Sequence, residues 1–416
     1  MTTTINNEHK KLNVPNLRFP EFQGEWEKYE LGDICDIITD FVAAGSFASL
    51  RENVKYYQEN NYAQLIRTID LKNNFTNSDF VYIDEVAYDF LWRVQLKEPN
   101  IVLPNIGANI GEKYYVKPQD LPKNKNVLGP NAILLRSKCN DTHFVYFRLS
   151  TSSYDNEMKK LVGASGQPKF NKTDLKKVSL FMPSLIEQKR IAYFLALLEE
   201  RIATQNKIIE DLKKLKSAII EKHYCKVEKQ IACVGDLGEP FSVGNLAKDD
   251  LTETGIPCVI YGELFTTYGE TISQIESHTY KTEGIILSKK GDLLFPSSTT
   301  VDAMSLIAPS VINMDGVILG GDMFGIHISP NFNAQYLSYY FNHIAKRQLA
   351  KFAKGSTIIH LHYADIEKAK LLLPSLEEQN RMAKCLVTLD DKIKKERTFF
   401  DLLNSQKAYL LCHMFI

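Results

Sequence analysis

The chain has 416 residues, enough for two or three domains with their own cores, and its 50 basic residues balance 50 acidic ones. Apolar and charged fractions of 44% and 24% exclude a disordered or fibrous chain, and zero formal charge excludes a protein that coats nucleic acid by charge alone. Seven scattered cysteines without a Cys-x-x-Cys pair offer no disulfide or zinc framework, and a polar stretch over residues 1–12 with no apolar run of about 20 residues anywhere predicts a soluble, cytoplasmic protein.

In chain order, a polar arm (1–25) leads to Trp26 and to Leu31-Gly32-Asp33-Ile34. Short apolar runs then read as strands, among them Ile101-Val102-Leu103 and Ala132-Ile133-Leu134-Leu135. A helix is expected over about 144–162, followed by a Gly/Ser loop at 163–169. Pro183-Ser184-Leu185-Ile186-Glu187-Gln188 stops a strand and opens a long helix through a Ser-x-x-Glu capping box, in which Ser accepts from the N3 amide and Glu reaches back to the cap.

The same sequence of events then recurs. Val234-Gly235-Asp236-Leu237 repeats Leu31 to Ile34 at a shift of 203 residues, and the strand runs return as Val259-Ile260-Tyr261 and Leu293-Leu294-Phe295. Val127-Leu128-Gly129 returns as Ile318-Leu319-Gly320, a helix is expected over about 334–353, and Pro374-Ser375-Leu376-Glu377-Glu378-Gln379 opens a second long helix, all at a shift of 191. The smaller shift downstream places extra residues in the first copy within 40–61.

Both long helices carry a 4-3 stripe of a/d character. The first presents Ile191, Leu195, Leu198, Ile202, Ile209 and Leu212, and the second Leu386, Leu389, Ile393, Phe400 and Leu403. Polar residues interrupt both stripes at matching steps, Gln205 with Glu396 and Lys216 with Lys407. Matched stripes with matched interruptions suit a helix partner better than a sheet. A helix from residue 184 to about 222 spans roughly 57 Å at 1.5 Å per residue. The second helix is expected to return antiparallel beside it. The fold class read from this order is α+β, two repeated mixed α/β domains (26–182 and 227–373) separated by a long antiparallel two-helix coiled coil (183–226 and 374–416) with pseudo-two-fold symmetry.

The combination of Leu17-Arg18-Phe19-Pro20-Glu21-Phe22, Gly24-Glu25-Trp26-Glu27, the two Pro-Ser-Leu-x-Glu-Gln helix starts and the ending Lys407-Ala408-Tyr409-Leu410-Leu411 resembles the specificity subunits of type I restriction–modification enzymes over nearly the whole chain. That resemblance implies two target recognition domains, each reading one half of a split sequence in double-stranded DNA. It also implies helices that fix the spacer and dock two methyltransferase subunits, through which restriction subunits join. S-adenosylmethionine, ATP and magnesium would belong to those partners, and this chain would hold no cofactor or metal and perform no catalysis.

Several groups are candidates for DNA contact. Asn105, Asn109 and Lys113 sit in a Gly/Asn-rich loop after a strand, with amides suited to adenine edges, and Ser297, Ser298 and Thr299 occupy the equivalent stretch, although a plain hairpin would account for either. Ser165, Gln167 and Lys169 match Lys354, Ser356, Thr357 and His360 as Gly/Ser loops with a cation suited to phosphate, or as simple helix stops. Arg51, Lys55, Tyr56 and Tyr57 form a basic-aromatic group in the first-copy insertion. His360 and His362 share a strand face but lack a third ligand nearby. A DNA-modifying enzyme is the main rival, yet no Asn/Asp-Pro-Pro-Tyr/Phe tetrad, Gly-rich cofactor turn, Walker motif or His-Glu-x-x-His is present. A coiled-coil scaffold unrelated to DNA would leave two elaborate domains without a role.

Overall fold

A computed structural model describes residues 13–77, 79–107, 109–162 and 169–416. The chain divides into two units, residues 1–204 with 400–416, and residues 205–399. Two long helices, Leu185–Lys226 and Leu376–His413, are shared between the units. No described helix is long and apolar enough to cross a membrane.

In the first unit, strand Glu27–Glu30 pairs antiparallel with Ser179–Met182 and so brings the start and end of the domain together. A four-stranded antiparallel sheet runs Ile37–Asp40, Ala132–Arg136, Asn100–Pro104, Tyr114–Val116. A three-stranded sheet runs Val81–Ile83, Ala63–Ile66, Asn126–Leu128, its second pair parallel. The strands predicted from apolar runs form because Ile101 to Leu103 and Ala132 to Leu135 are buried on both faces, which continuous rather than alternating hydrophobicity signals. Leu65, Val102, Val127 and Leu134 meet in one core. Within the 40–61 insertion the structure forms helix Phe47–Asn53.

The second unit repeats this plan. Gln230–Cys233 pairs with Lys370–Leu373, and the strands Gly238–Ser242, Met323–Ile328, Asp292–Pro296 and Ser310–Ile312 stand in the order of the first unit's four-stranded sheet, with Thr271–Ile272 added. Strand Ile256–Ile260 pairs parallel with Ile318–Gly320 as Ala63–Ile66 does with Asn126–Leu128. The repeated glycine at the end of that parallel strand answers to close packing, since a Cβ on Gly320 would stand 2.2 Å from the Leu246 Cβ.

Two local expectations need correction. The helices expected as single pieces over 144–162 and 334–353 are broken. Thr142–Leu149 is followed by Ser152–Val162, where the buried Thr151 hydroxyl accepts from Arg148, and Ala334–His343 is followed by Lys346–Leu349. The capping boxes are half formed: Ser184 and Ser375 accept from the Glu187 and Glu378 amides at 3.4 Å, but neither glutamate reaches back. Glu187 is buried and instead receives two 2.7 Å bonds from Arg18, because a buried carboxylate needs a cation more than a cap needs a second acceptor. Glu378 turns to His223 and Arg381.

The helix-start glutamines explain the rest of the motif. Gln188 Nε2 donates to the Pro183 carbonyl at 2.9 Å, and its Oε1 accepts at 3.0 Å from the amide of Asp141, the N-cap of helix Thr142–Leu149. Gln379 does the same with Pro374 and Asn333, at 2.9 and 3.0 Å. Each long helix is thereby bolted to the helix that packs on its own domain's sheet.

Candidate nucleic-acid interface and helix seam

Of the expected helix-pair residues, Ile191, Leu195, Leu198, Ile209, Leu386 and Leu403 are buried, while Ile202, Leu212, Leu389, Ile393 and Phe400 are half-buried. In the second unit, Gln205 donates to the Glu396 carbonyl at 3.0 Å, Lys216 reaches Asp390 at 2.7 Å, and His223 lies 3.1 Å from Glu378. Partners descend in number as the first helix ascends, so the pair is antiparallel. In the first unit Lys407 meets Glu199 at 2.6 Å. The shift of 191 residues turns Lys216 into Lys407 and Glu199 into Asp390, and it turns Gln205 into its own partner Glu396. The polar interruptions of the two stripes are thus each other's partners or copies of one bond.

Lys216 also donates to Glu270 at 2.9 Å, and Tyr339 donates to Asp390 at 2.5 Å. Burial alone would raise the Glu270 carboxyl, but the His343 ring at 2.8 Å and the charge and hydrogen bond of Lys216 outweigh it and hold the group down at about 2. The seam therefore contains a fixed cation with two carboxylates rather than an unpaired charge.

The structure joins two of the candidate loops in each unit. Ile106, beside Asn105, bridges to Lys169, and Ser298 pairs antiparallel with His360 at the equivalent place in the second unit. In the first loop, Asn105 is tied to Phe170 by backbone and side chain, Asn109 accepts from Lys72 at 2.9 Å, and Lys113 pairs with Asp155 with only 12% of its side chain exposed. Ser165 and Gln167 lie outside the described residues, whereas Lys169 is exposed. In the second unit Ser297 and Ser298 are buried, and Thr299 is half-buried and caps the Val301 amide.

Residues 354–360 form a hairpin closed by reciprocal Lys354–His360 backbone bonds of 2.9 and 2.7 Å, with Ser356 and Thr357 exposed at its tip. Gly355 there has φ +115° and its Cβ would meet the Ile358 carbonyl at 2.1 Å, so the tight turn requires glycine. Lys354 pairs with Asp365, and His360 stacks near His362. Among the described residues no three His, Cys, Asp or Glu side chains are placed to hold a metal ion.

Arg51 and Lys55 are exposed, and Tyr57 donates to Asp84 at 3.0 Å while its backbone pairs with Tyr82. Beyond Tyr82 lies a cleft that sequence reasoning missed, walled by Tyr62, Phe80 and Tyr82 and rimmed by Lys123 and Lys125. Its signal was a glutamine, Gln64, inside an otherwise apolar strand.

Similarity to known proteins covers both units. The family described as type I restriction modification DNA specificity domain matches residues 23–214 and again residues 226–398. The putative type I restriction enzyme MjaX specificity subunit of Methanocaldococcus jannaschii is 23% identical over 407 residues, covering 94% of this chain and 92% of that one. The type I restriction enzyme MjaVIII specificity subunit of the same organism is 24% identical, covering 92% and 89%. A crystal structure of a type I restriction-modification system S subunit from M. genitalium shares the fold at TM-score 0.61, with 15% identity over 97% of this chain and 99% of that chain. A chain from a solved type I R-M system, described for its complex assembly and conformational transition, aligns at TM-score 0.54 with 13% identity over 93% and 96%.

Proposed function

The chain belongs to the type I restriction modification DNA specificity family, and from that premise we propose that it reads a double-stranded DNA target in two halves, one per unit, while its long helices carry methyltransferase subunits. It performs no chemistry itself. Methyl transfer, with its S-adenosylmethionine, belongs to the methyltransferases, and ATP- and magnesium-dependent cleavage to restriction subunits that join through them. The observation that carries this reading is duplication of scaffold without duplication of surface. The two units share strand order and pairing, yet the exposed Lys169 of the first is replaced by a half-buried His360 in the second, and the exposed Arg51 and Lys55 stand in an insertion that the second unit lacks. One scaffold with two sets of contact residues suits a target whose halves differ in sequence.

Exposed Arg51, Lys55, Lys169, Lys354, Ser356 and Thr357 are the proposed phosphate and base-edge contacts. The spacing between half-sites is assigned to the helices, and two methyltransferases and the cytoplasm are the expected company. The test is co-expression with the methyltransferase followed by mapping of methylated adenines. Methylation is expected only with both proteins present, at two short fixed segments separated by an unspecified spacer. Methyl transfer by the pure chain, or a single continuous site, would overturn the reading.

A further inference from the structure

The first unit holds an open cleft of about 700 Å³ whose floor is unusual. Strand Ala63–Ile66 turns Leu65 into the core, and the alternation of a strand sends Gln64 to the other face, opposite Tyr82 and alongside Asn126. Gln64 is 1% exposed and lines the cleft, yet neither its Nε2 nor its Oε1 has a hydrogen-bond partner. Buried amides are almost always paired, and a leucine here would avoid the cost, so an unsatisfied donor and acceptor at the floor of a cleft point to a missing ligand.

The walls define its chemistry. Tyr62 and Tyr82 line it with lysines over their rings: Lys125 Nζ lies 3.6 Å from the Tyr62 ring centre, and Lys123 Nζ lies 5.2 Å from that of Tyr82 and 2.7 Å from Asn60. Aromatic faces take a planar ring, the lysines take an anion attached to it, and an amide presents one donor beside one acceptor. That combination fits a nucleobase on a phosphate backbone, and the donor-acceptor pair matches the N6/N7 edge of adenine.

We propose that this cleft takes an adenine of the first half-site, with Gln64 reading its N6/N7 edge and Lys123 and Lys125 turning to neighbouring phosphates. The second unit has Pro257 opposite His278 where the first has Gln64 opposite Tyr82, so this reading is confined to one half-site. The proposal rests on the chain being a DNA reader.

The test uses the complex of the full chain with its methyltransferase, in two arms. In cells, methylated adenines are mapped for the parent, Gln64→Leu and Gln64→Glu. In vitro, the parent complex binds duplexes carrying 7-deazaadenine at each adenine of the first half-site in turn, which removes only N7 and needs no variant to fold. Expected are a drop of about tenfold in binding at one position, loss of adenine preference there in Gln64→Leu, and a turn toward cytosine in Gln64→Glu, with the other half-site and the spacer unchanged. Gln64→Leu should melt no lower than the parent. If no deaza position weakens binding, or if Gln64→Leu melts higher and methylates the same site with the same preference, Gln64 is only a strained sheet residue and the proposal is overturned while the split-site function stands. If the parent itself methylates no split site, both fall.

Discussion

Lys216 and Asp390 meet at 2.7 Å across the paired long helices, and the repeat shift reproduces this bond as Lys407 with Glu199. The two copies differ in burial. Lys216 has 9% of its side chain exposed and holds a second carboxylate, Glu270, whereas Lys407 and Glu199 are each more than a quarter exposed. Lys216→Met should therefore cost about 3 kcal/mol by stranding two partly buried carboxylates, and Lys407→Met under about 1 kcal/mol. Equal losses in urea unfolding would show that burial does not separate the copies.

Glu270 yields a pH prediction. Its carboxyl lies at about 2 in the folded protein against an ordinary 4.5, so it contributes stability that is present above 4.5 and lost as pH falls from 4.5 toward 2. The contribution is at most about 3 kcal/mol. Glu270→Gln should destabilise the protein at pH 7, and the gap from the parent should close as pH drops through that window. A gap independent of pH from 6 to 3 would mean that the ion pairs with Lys216 and His343 do not contribute.

Along the second helix, Leu386 is fully buried in the second unit's core cluster, which also holds Leu337 and Phe341, while Leu389, three residues on, is half-buried. Leu386→Ala should cost about 3–4 kcal/mol and Leu389→Ala about 1 kcal/mol, because the cavity left at the first site has no solvent to fill it. Placing a charge at Leu198 should also weaken methyltransferase docking, read by co-purification.

Gln188→Ala and Gln379→Ala each remove the bond accepted from a domain helix's N-cap amide, Asp141 or Asn333, together with the bond donated to the Pro183 or Pro374 carbonyl at the long helix's own start. Each orphans a buried amide or carbonyl and should cost about 1–3 kcal/mol. Hydrogen exchange should rise at the N-cap of helix Thr142–Leu149 for the first and of Ala334–His343 for the second. Unchanged protection at both caps would remove the glutamines from the joint.

The helix starts and the stripes of the seam were legible because each rests on spacing within a few turns of chain, and the duplication because those local patterns recur at a nearly constant shift. Glu187 was misread as a capping partner because its cation, Arg18, lies 169 residues away. The joining of the Asn105 loop to Lys169, and of Ser298 to His360, depends on strand register that no local pattern carries. The same register conceals Gln64, whose neighbours Tyr82 and Asn126 come from distant strands. Ser298 and Lys113 looked like contacts by residue type, but burial and an Asp155 partner are properties of the packed state.

The central claim, two independent readers on one duplicated scaffold, is tested most directly by exchanging residues 26–182 for the equivalent segment of another specificity subunit and mapping adenine methylation with the methyltransferase present. The account predicts that one half of the recognised sequence changes while the other half and the spacer stay as they were. A change in both halves together, or in neither, would contradict it.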